Sequence, residues 1–557
     1  MPNIAAHLAA MARLQPSHPA VICAQGRDAQ GAVTYGQLSF AELEEASNRL
    51  AGALAGAGIR RGMRSALMVP PGLDFFTLSF ALFKAGAVPV LIDPGIGVRS
   101  LGACLAHAQP EAFIGIPKAH AARVLLGWAR GSLRINVTVG SKWLWSGPTL
   151  KELLSNALSQ TPVPAIDPAP DETAAILFTS GSTGTPKGAV YTHGIFDAQV
   201  AYIRRLYGIE PGETDLATFP LFALFGPALG MTAVVPEMDA SRPASADPAI
   251  LVEAIRKFGI TSMFGSPALI DRLGRHGEAH GIKLPTLRRA ISAGAPVAAK
   301  VLERFAALLP KGAQVYTPYG ATECLPVASI GSDEILGETR HRSDRGAGVC
   351  VGRPVPGLKA KIIRISDEAI ARWDGALELP AGQIGEIAVQ AAHATRTYFN
   401  LPQATALAKI QDTGGGDRPF YHRMGDVGYF DAAGRLWFCG RKAHRVVTPR
   451  GTLFTDPCEG VFNTHPKVFR TALVGVLRNG VIRPVLCVEL EPAARGDPQD
   501  AIRAGLLALG SQNELTRGIQ TILFHPAFPV DVRHNAKIFR EKLAAWATRQ
   551  LAGREPA

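Results

Sequence analysis

Helix-like and strand-like patterns alternate through the first 440 residues of this 557-residue chain. That alternation restricts the chain to α/β architectures built from βα units around a mostly parallel sheet. Ser39-Phe-Ala-Glu42 spells a capping box, and Leu43, Ala46, Leu50 and Leu54 continue along one helical face towards Gly58. Apolar runs at 66–69, 87–92, 112–116 and 174–178 read as buried strands. The length exceeds what one core supports, so a large domain and a smaller one are expected. At 47% hydrophobic and 19% charged residues, the composition excludes disordered and fibrous classes.

The longest apolar stretch, 73–83, is interrupted by Asp74, Thr77 and Ser79, whereas a membrane span needs about 20 predominantly apolar residues. The N-terminus lacks a basic start and a small-residue cleavage site, so no signal peptide is read and the expected location is cytoplasmic. Seven cysteines are scattered without a C-x-x-C pair and read as buried thiols. The net charge is +12, but the basic residues come singly or in pairs without interleaved aromatics, which argues against nucleic acid as a partner. From Arg441 to the end, 17 Lys/Arg face 10 Asp/Glu, so this last fifth carries +7 of the total. Such a basic terminal domain suits a lid over an anionic ligand, or else an ordinary solvated or membrane-facing surface. The segments 161–172 and 411–419 read as a proline-rich connector and a glycine-rich loop, and the domain boundary is placed near Gly440-Arg441, giving domains 1–440 and 441–557.

The segment with the most chemistry is Thr179-Ser180-Gly181-Ser182-Thr183-Gly184-Thr-Pro-Lys187-Gly188, directly after a strand-like run. Its small residues let successive backbone N–H groups approach phosphate oxygens, its hydroxyls add donors and Lys187 adds a cation. A P-loop would need G-x-x-x-x-G-K-[ST], which this segment does not satisfy. Further motifs follow in order: Ser292-Ala-Gly294-Ala295-Pro296, Tyr319-Gly320-Ala-Thr322-Glu323, Gly382-Gln-Ile-Gly385-Glu386, Met424-Gly-Asp426, Gly440-Arg441 and a C-terminal Arg533-His534-Asn535-Ala536-Lys537-Ile-Phe-Arg540.

This ordered set resembles the acyl-adenylate-forming superfamily of acyl-CoA synthetases, peptide-synthetase adenylation domains and luciferases, over nearly the whole chain. The resemblance implies a large N-terminal domain of wound β-sheet subdomains with helices, binding ATP and the acyl group, plus a small, mobile α+β C-terminal lid. It also implies roles. The 179–187 loop, with Gly294, Ala295, Tyr319, Gly320, Asp426 and Arg441, would hold the nucleotide. Tyr319 would stack on adenine, Thr322 would touch the α-phosphate, and Asp426 would accept from both ribose hydroxyls. Glu323 would hold Mg²⁺, with Thr179 as a second oxygen donor, because a carboxylate beside a triphosphate needs a divalent cation between them. Lys537 would be the catalytic cation, stabilising charge that builds on the α-phosphoryl oxygens.

Departures from the superfamily pattern narrow the reading. Phe219-Pro-Leu-Phe222-Ala223-Leu-Phe225 replaces the frequent histidine with an apolar wall suited to an alkyl chain, where His193 is also placed. Gly440-Arg-Lys-Ala443 lacks the hinge aspartate of G-R-x-D, which questions a standard thioester-forming half-reaction. With 317–325 and 533–537, these features resemble the β-lactone synthetases of bacterial long-chain olefin biosynthesis. That resemblance implies adenylation of a long-chain 2-alkyl-3-hydroxy acid, attack by its own 3-hydroxyl, and assembly with other olefin-biosynthesis enzymes. His193 and His534 are candidates for the base. A long-chain fatty acyl-CoA or acyl-AMP ligase, and a non-catalytic nucleotide- or lipid-binding protein, remain as alternatives.

Overall fold

The computed structural model describes residues 3–157, 166–179, 186–414, 419–531 and 537–552. The capping box forms as read. Ser39 Oγ accepts from Glu42 N at 3.2 Å, Glu42 Oε2 accepts from Ser39 N at 2.7 Å, and the helix Phe40–Gly56 follows. Its buried stripe, including Leu43, Leu50 and Leu54, packs on the helix Leu73–Ala85, whose Phe76, Phe80 and Phe83 are almost fully enclosed. The apolar 73–83 stretch is therefore core, and no helix among the described residues is long and apolar enough to cross a membrane.

These helices cover a six-stranded sheet in the order Ile135–Thr138, Ala112–Gly115, Arg64–Met68, Val88–Ile92, Thr173–Thr179, Lys187–Thr192, parallel except for the last pair. Four of these strands are the apolar runs read from the sequence. A second, larger sheet begins as a parallel ladder through Pro19–Arg27, Thr232–Val235, Thr214–Ala217, Ser262–Phe264, Arg289–Ile291 and Gln314–Ala321. The expectation of βα units fails at the antiparallel pairs Pro19–Arg27 with Val33–Ser39 and Thr173–Thr179 with Lys187–Thr192, and throughout from Gln314 to Arg441. The sheet continues antiparallel through Cys324–Gly331, Val349–Pro354, Leu436–Arg441, Phe420–Phe430, Gly385–Gln390 and Lys359–Ile363. The first of these connections is only two residues long, too short for the crossover a parallel pair requires.

After Arg441 the chain leaves this sheet. A three-stranded sheet, Val468–Arg478, Val481–Leu490 and Thr521–Phe524, packs with helices Thr455–Phe462, Gln499–Ser511 and Arg540–Ala552. Its two apolar clusters draw only on residues from Val446 onward. This smaller α+β unit sits against the end of Leu436–Arg441, where Gly440, at φ +122°, passes so close to Thr455 that a Cβ would lie 2.2 Å from its Oγ1.

Candidate active site

The strand Gln314–Ala321 turns back into Cys324–Gly331 through Thr322-Glu323, so both residues occupy the tip of a two-residue hairpin. Gly320 is required there, because a Cβ on it would lie 2.5 Å from the Cys324 carbonyl oxygen. The tip is fixed from outside. The Tyr191 hydroxyl donates to the Thr322 carbonyl, Gln199 Nε2 to the Leu325 carbonyl at 3.0 Å, and Thr395 N to the Glu323 carbonyl at 2.8 Å. The Glu323 side chain is itself held, with Oε1 accepting from the Tyr398 hydroxyl at 2.6 Å.

The same strand carries Tyr319 towards Asp426, 107 residues away, and its hydroxyl donates to Asp426 Oδ2 at 2.7 Å. Asp426 lies on Phe420–Phe430 directly opposite Arg441, whose Nη1 stands 3.1 Å from Oδ1. That approach is off-line, and buried Oδ1 has no hydrogen bond. A buried acceptor of this kind is costly unless a donor reaches it, and a ribose hydroxyl would supply one. Burial pushes the Asp426 carboxyl up, while Arg441 and the Tyr319 hydroxyl pull it back. Arg441 is raised chiefly by Asp426. The Tyr319 phenol, raised by burial and by Asp426, stays a donor.

Four of the residues singled out by sequence, Tyr319, Glu323, Asp426 and Arg441, therefore form one electrostatic cluster, since Arg441 also senses Glu323. Lys187 stands beside it, its Nζ 5.2 Å from the centroid of the Tyr398 ring. Gly294, at φ +97°, and Ala295 lie in the loop leaving Arg289–Ile291, where buried Ser292 Oγ has no hydrogen bond. The Thr179 side chain and residues 180–185 lie outside the described residues, as does His534.

Lys537 follows residues 532–536, which lie outside the described residues. Its carbonyl accepts from Asp531 N at 2.9 Å, and Ile538 bridges to Val530. Three residues later Arg540 forms a bidentate pair with buried Glu459, at 2.5 and 2.9 Å, which fastens the Lys537 segment to the helix Thr455–Phe462. His444 connects this region with the cluster, because both Arg540 and Arg441 help to hold its imidazole down at about 4, after burial.

The apolar wall divides. Ala223 and Phe225 are core residues, whereas half-buried Phe222 packs on Phe264 with ring centroids 4.5 Å apart. His193 starts the helix His193–Tyr207 and is buried. Its charged neighbours are Glu172 and Arg61 rather than Glu323, and burial holds it down at about 4. All seven cysteines are buried and free, and burial pushes the Cys324 thiol up to about 12, a poor nucleophile at neutral pH.

Sequence reasoning missed Tyr398 and Lys409. Lys409, 4% exposed, donates to the Thr395 carbonyl, approaches His422 Nδ1 at 3.1 Å and lies over the Tyr398 ring at 6.0 Å. Burial lowers its ammonium to about 7, against the pull of Glu323. The only available signal was a lysine opening an apolar strand, Lys409–Gln411.

The profile of the family described as AMP-binding enzyme matches residues 8–399. The olefin beta-lactone synthetase of Xanthomonas campestris pv. campestris is 52% identical over 550 residues, covering 98% of each chain. That of Stenotrophomonas maltophilia is 52% identical over 557 residues, covering 99% of each. Among solved structures, the amide bond synthetase McbA of Marinactinospora thermotolerans superposes with a TM-score of 0.78 at 23% identity, covering 98% of this chain and 99% of that one, a likeness of fold.

Proposed function

This chain belongs to the AMP-binding enzyme family and is an AMP-forming ligase, and we propose that it converts a long-chain 2-alkyl-3-hydroxy acid into a β-lactone. The observation that carries this reading is the 52% identity, across practically the full length of both chains, to two olefin beta-lactone synthetases. The site supports its first half. The acid's carboxylate oxygen attacks the α-phosphorus of ATP, the bond to the β-phosphate oxygen breaks, and pyrophosphate leaves. Asp426 and Tyr319 hold the nucleoside, Arg441 opposes the upward push of burial on the Asp426 carboxyl, and Thr322 with the 179–187 loop receives the phosphates. Lys537 brings its ammonium to the phosphoryl oxygens, where charge increases most in the transition state.

Glu323 fits Mg²⁺ in donor chemistry: it is a half-buried carboxylate with one oxygen committed to Tyr398. Among the described residues, no group of three or more His, Cys, Asp or Glu converges, so such an ion would draw most ligands from phosphate and water, as Mg²⁺ at phosphate sites does. When bound, it would neutralise triphosphate charge. Tyr398 and the Thr395 backbone amide keep Glu323 aimed for that purpose.

In the second half, the substrate's 3-hydroxyl oxygen attacks its own acyl carbon. The bond from that carbon to the AMP oxygen breaks, the hydroxyl proton passes to a base, and the four-membered ring closes. The nucleophile is already present, so proximity replaces a second substrate. Phe222, with the aromatic surface of Phe264 behind it, offers the alkyl chain an apolar wall. On the cyclising reading the enzyme works in the cytoplasm in an assembly with other olefin-forming enzymes.

Product analysis by NMR tests the proposal, using Mg·ATP and a long-chain 2-alkyl-3-hydroxy acid with and without coenzyme A. A β-lactone formed without coenzyme A is expected. An acyl-CoA that appears only when coenzyme A is added would place the enzyme among conventional fatty acyl ligases instead.

A further inference from the structure

Twelve large hydrophobic side chains stand exposed among the described residues, and five fall within 21 positions: Val124, Leu125, Leu126, Trp143 and Leu144. Scattered exposed apolar residues are ordinary, but a projecting group of them marks an interaction site. Two pieces of chain build this one. The helix Pro117–Leu126 ends at Gly127, φ +65°, so that Val124 to Leu126 form its last turn. The second piece is the loop after the edge strand Ile135–Thr138.

Trp145 joins the two pieces. Its indole stacks on buried His120 of the helix, with centroids 5.2 Å apart and planes at 10°, and its Nε1 donates to Thr138 Oγ1 at 2.8 Å. Trp143 lies 5.8 Å from Trp145. Drawing Trp145 in turns its neighbours out: Trp143 is 64% exposed, Leu144 wholly exposed at 104%, and Leu125 on the helix 84%. This loop presents an indole and a leucine to solvent on a fixed base.

The segment that carries them is predominantly basic, with exposed Glu152 as a carboxylate within electrostatic reach of Lys142. Between Glu111 and Glu152 there is no acidic residue but six Lys or Arg, of which Lys118, Arg130, Arg134, Lys142 and Lys151 are exposed. Indole and aliphatic tips carried on a segment rich in exposed cations match the boundary between anionic headgroups and acyl chains. A standard protein interface needs about 800 Å² of complementary surface per partner, which a few projecting side chains with an unbalanced charge rim do not offer.

We propose that this face seats the enzyme on an anionic phospholipid surface, with Leu125, Trp143 and Leu144 entering the headgroup boundary and the surrounding cations meeting lipid phosphates. Binding is peripheral and reversible.

Co-sedimentation of the full chain with vesicles tests it, comparing phosphatidylglycerol–phosphatidylethanolamine with phosphatidylcholine alone. The wild type partitions onto the anionic vesicles and is released as salt rises from about 0.1 M to about 1 M, which shortens the screening length from about 10 Å to about 3 Å. Each cation near such a surface is worth about fivefold in partition, so Arg130→Glu/Lys142→Glu binds more than about 25-fold weaker. Trp143→Ser/Leu144→Ser loses at least about tenfold. Thermal stability and ATP–pyrophosphate exchange with a micellar acid stay at wild-type values in both variants. Wild-type protein that remains in the supernatant with anionic vesicles, or variants that sediment as well as wild type, overturn the proposal. So does a wild type that ignores vesicles yet self-associates through Trp143, which would make the face a protein contact.

Discussion

Removing one hydroxyl tests how Glu323 is put to use. In Tyr398→Phe the ring remains, and with it the packing of a side chain that is 7% exposed and part of the main apolar cluster. What disappears is the 2.6 Å hydrogen bond to Glu323 Oε1. A hydrogen bond to a charged acceptor contributes about 1.5–3 kcal/mol. Glu323 is only half-buried, so water replaces part of the loss and the lower end applies, about 1.5–2 kcal/mol. If that energy is realised when Glu323 meets the metal–triphosphate complex, kcat/KM for pyrophosphate release falls about 10–30-fold. The apparent Mg²⁺ requirement rises with it. The assay is pyrophosphate release against Mg²⁺ concentration, paired with thermal unfolding. A variant with kcat/KM within about twofold of wild type and an unchanged Mg²⁺ profile would refute the reasoning, even with a lowered Tm, because the hydrogen bond would then be structural only.

Lys537→Ala should cut acyl-adenylate formation by about 10²-fold or more while ATP still binds, and wild-type pyrophosphate release would reassign the catalytic cation. Asp426→Ala should raise the Kd of ATP by about tenfold or more through lost charge-assisted hydrogen bonds; calorimetry showing unchanged affinity would remove Asp426 from the nucleotide site. Arg540→Met leaves Glu459 buried without its cation and should destabilise the smaller unit by about 3–5 kcal/mol. Adding Glu459→Met should restore much of that stability in denaturant unfolding, and a double variant no more stable than the single one would contradict a charge-based cost. Lys409 loses its proton near pH 7 in the fold but only at about 10.4 when unfolded. The cost of burying its charge is therefore complete below pH 7 and is relieved between pH 7 and about 10.4, where the unfolded chain holds the extra proton. Wild type should gain Tm relative to Lys409→Met across that interval, and parallel Tm curves would show that the ammonium is not strained.

Local patterns were readable wherever one face of one element decided the outcome. The Ser39 capping box and its buried leucines depend on contacts within a few residues, and so do the four apolar runs that became strands of the six-stranded sheet. Ordered motifs also brought Tyr319 and Asp426 to one place, because the resemblance carried the long-range pairing that spacing alone does not contain. Where no motif spoke, partners were invisible. Nothing local links Tyr398 to Glu323, 75 positions earlier, or sets Lys409 beside Thr395 and His422; those contacts follow from the register of Lys409–Gln411 on Phe420–Phe430. The antiparallel half of the large sheet was missed for a related reason. Period-two burial identifies a strand but not the direction of its neighbour, and only short connections, the two residues at Thr322-Glu323 and the five at 431–435, exclude a crossover.

The joint between the two units gives the missing hinge aspartate a physical meaning. Ala443 is exposed and has no side chain with which to hold either orientation. The residues around it are cations tied to the larger unit. Arg441 pairs with Asp426, and Arg445 Nη2 pairs with Asp367 while its Nη1 donates to the Lys442 carbonyl at 2.7 Å. Lys442 Nζ donates to the Ser366 carbonyl at 2.7 Å and stands 3.1 Å from Oε1 of Glu386, a carboxylate 1% exposed. Arg441 and Lys442 precede residue 443 and stay with the larger unit, so swinging the smaller unit about 443 pulls, among these bonds, on those of Arg445. The Lys442 contacts with Ser366 and Glu386 would remain, whereas Arg445 would give up its pair with Asp367, whose carboxylate is 65% exposed, a surface ion pair worth at most about 1 kcal/mol. Each 1.4 kcal/mol is tenfold in population, so this pair biases the chain towards the seated arrangement by less than about tenfold. An enzyme that must present its acyl-adenylate to an external thiol works against such a bias. One whose nucleophile is the substrate's own hydroxyl needs no second orientation, and on the proposed function the residue at 443 is freed from holding one.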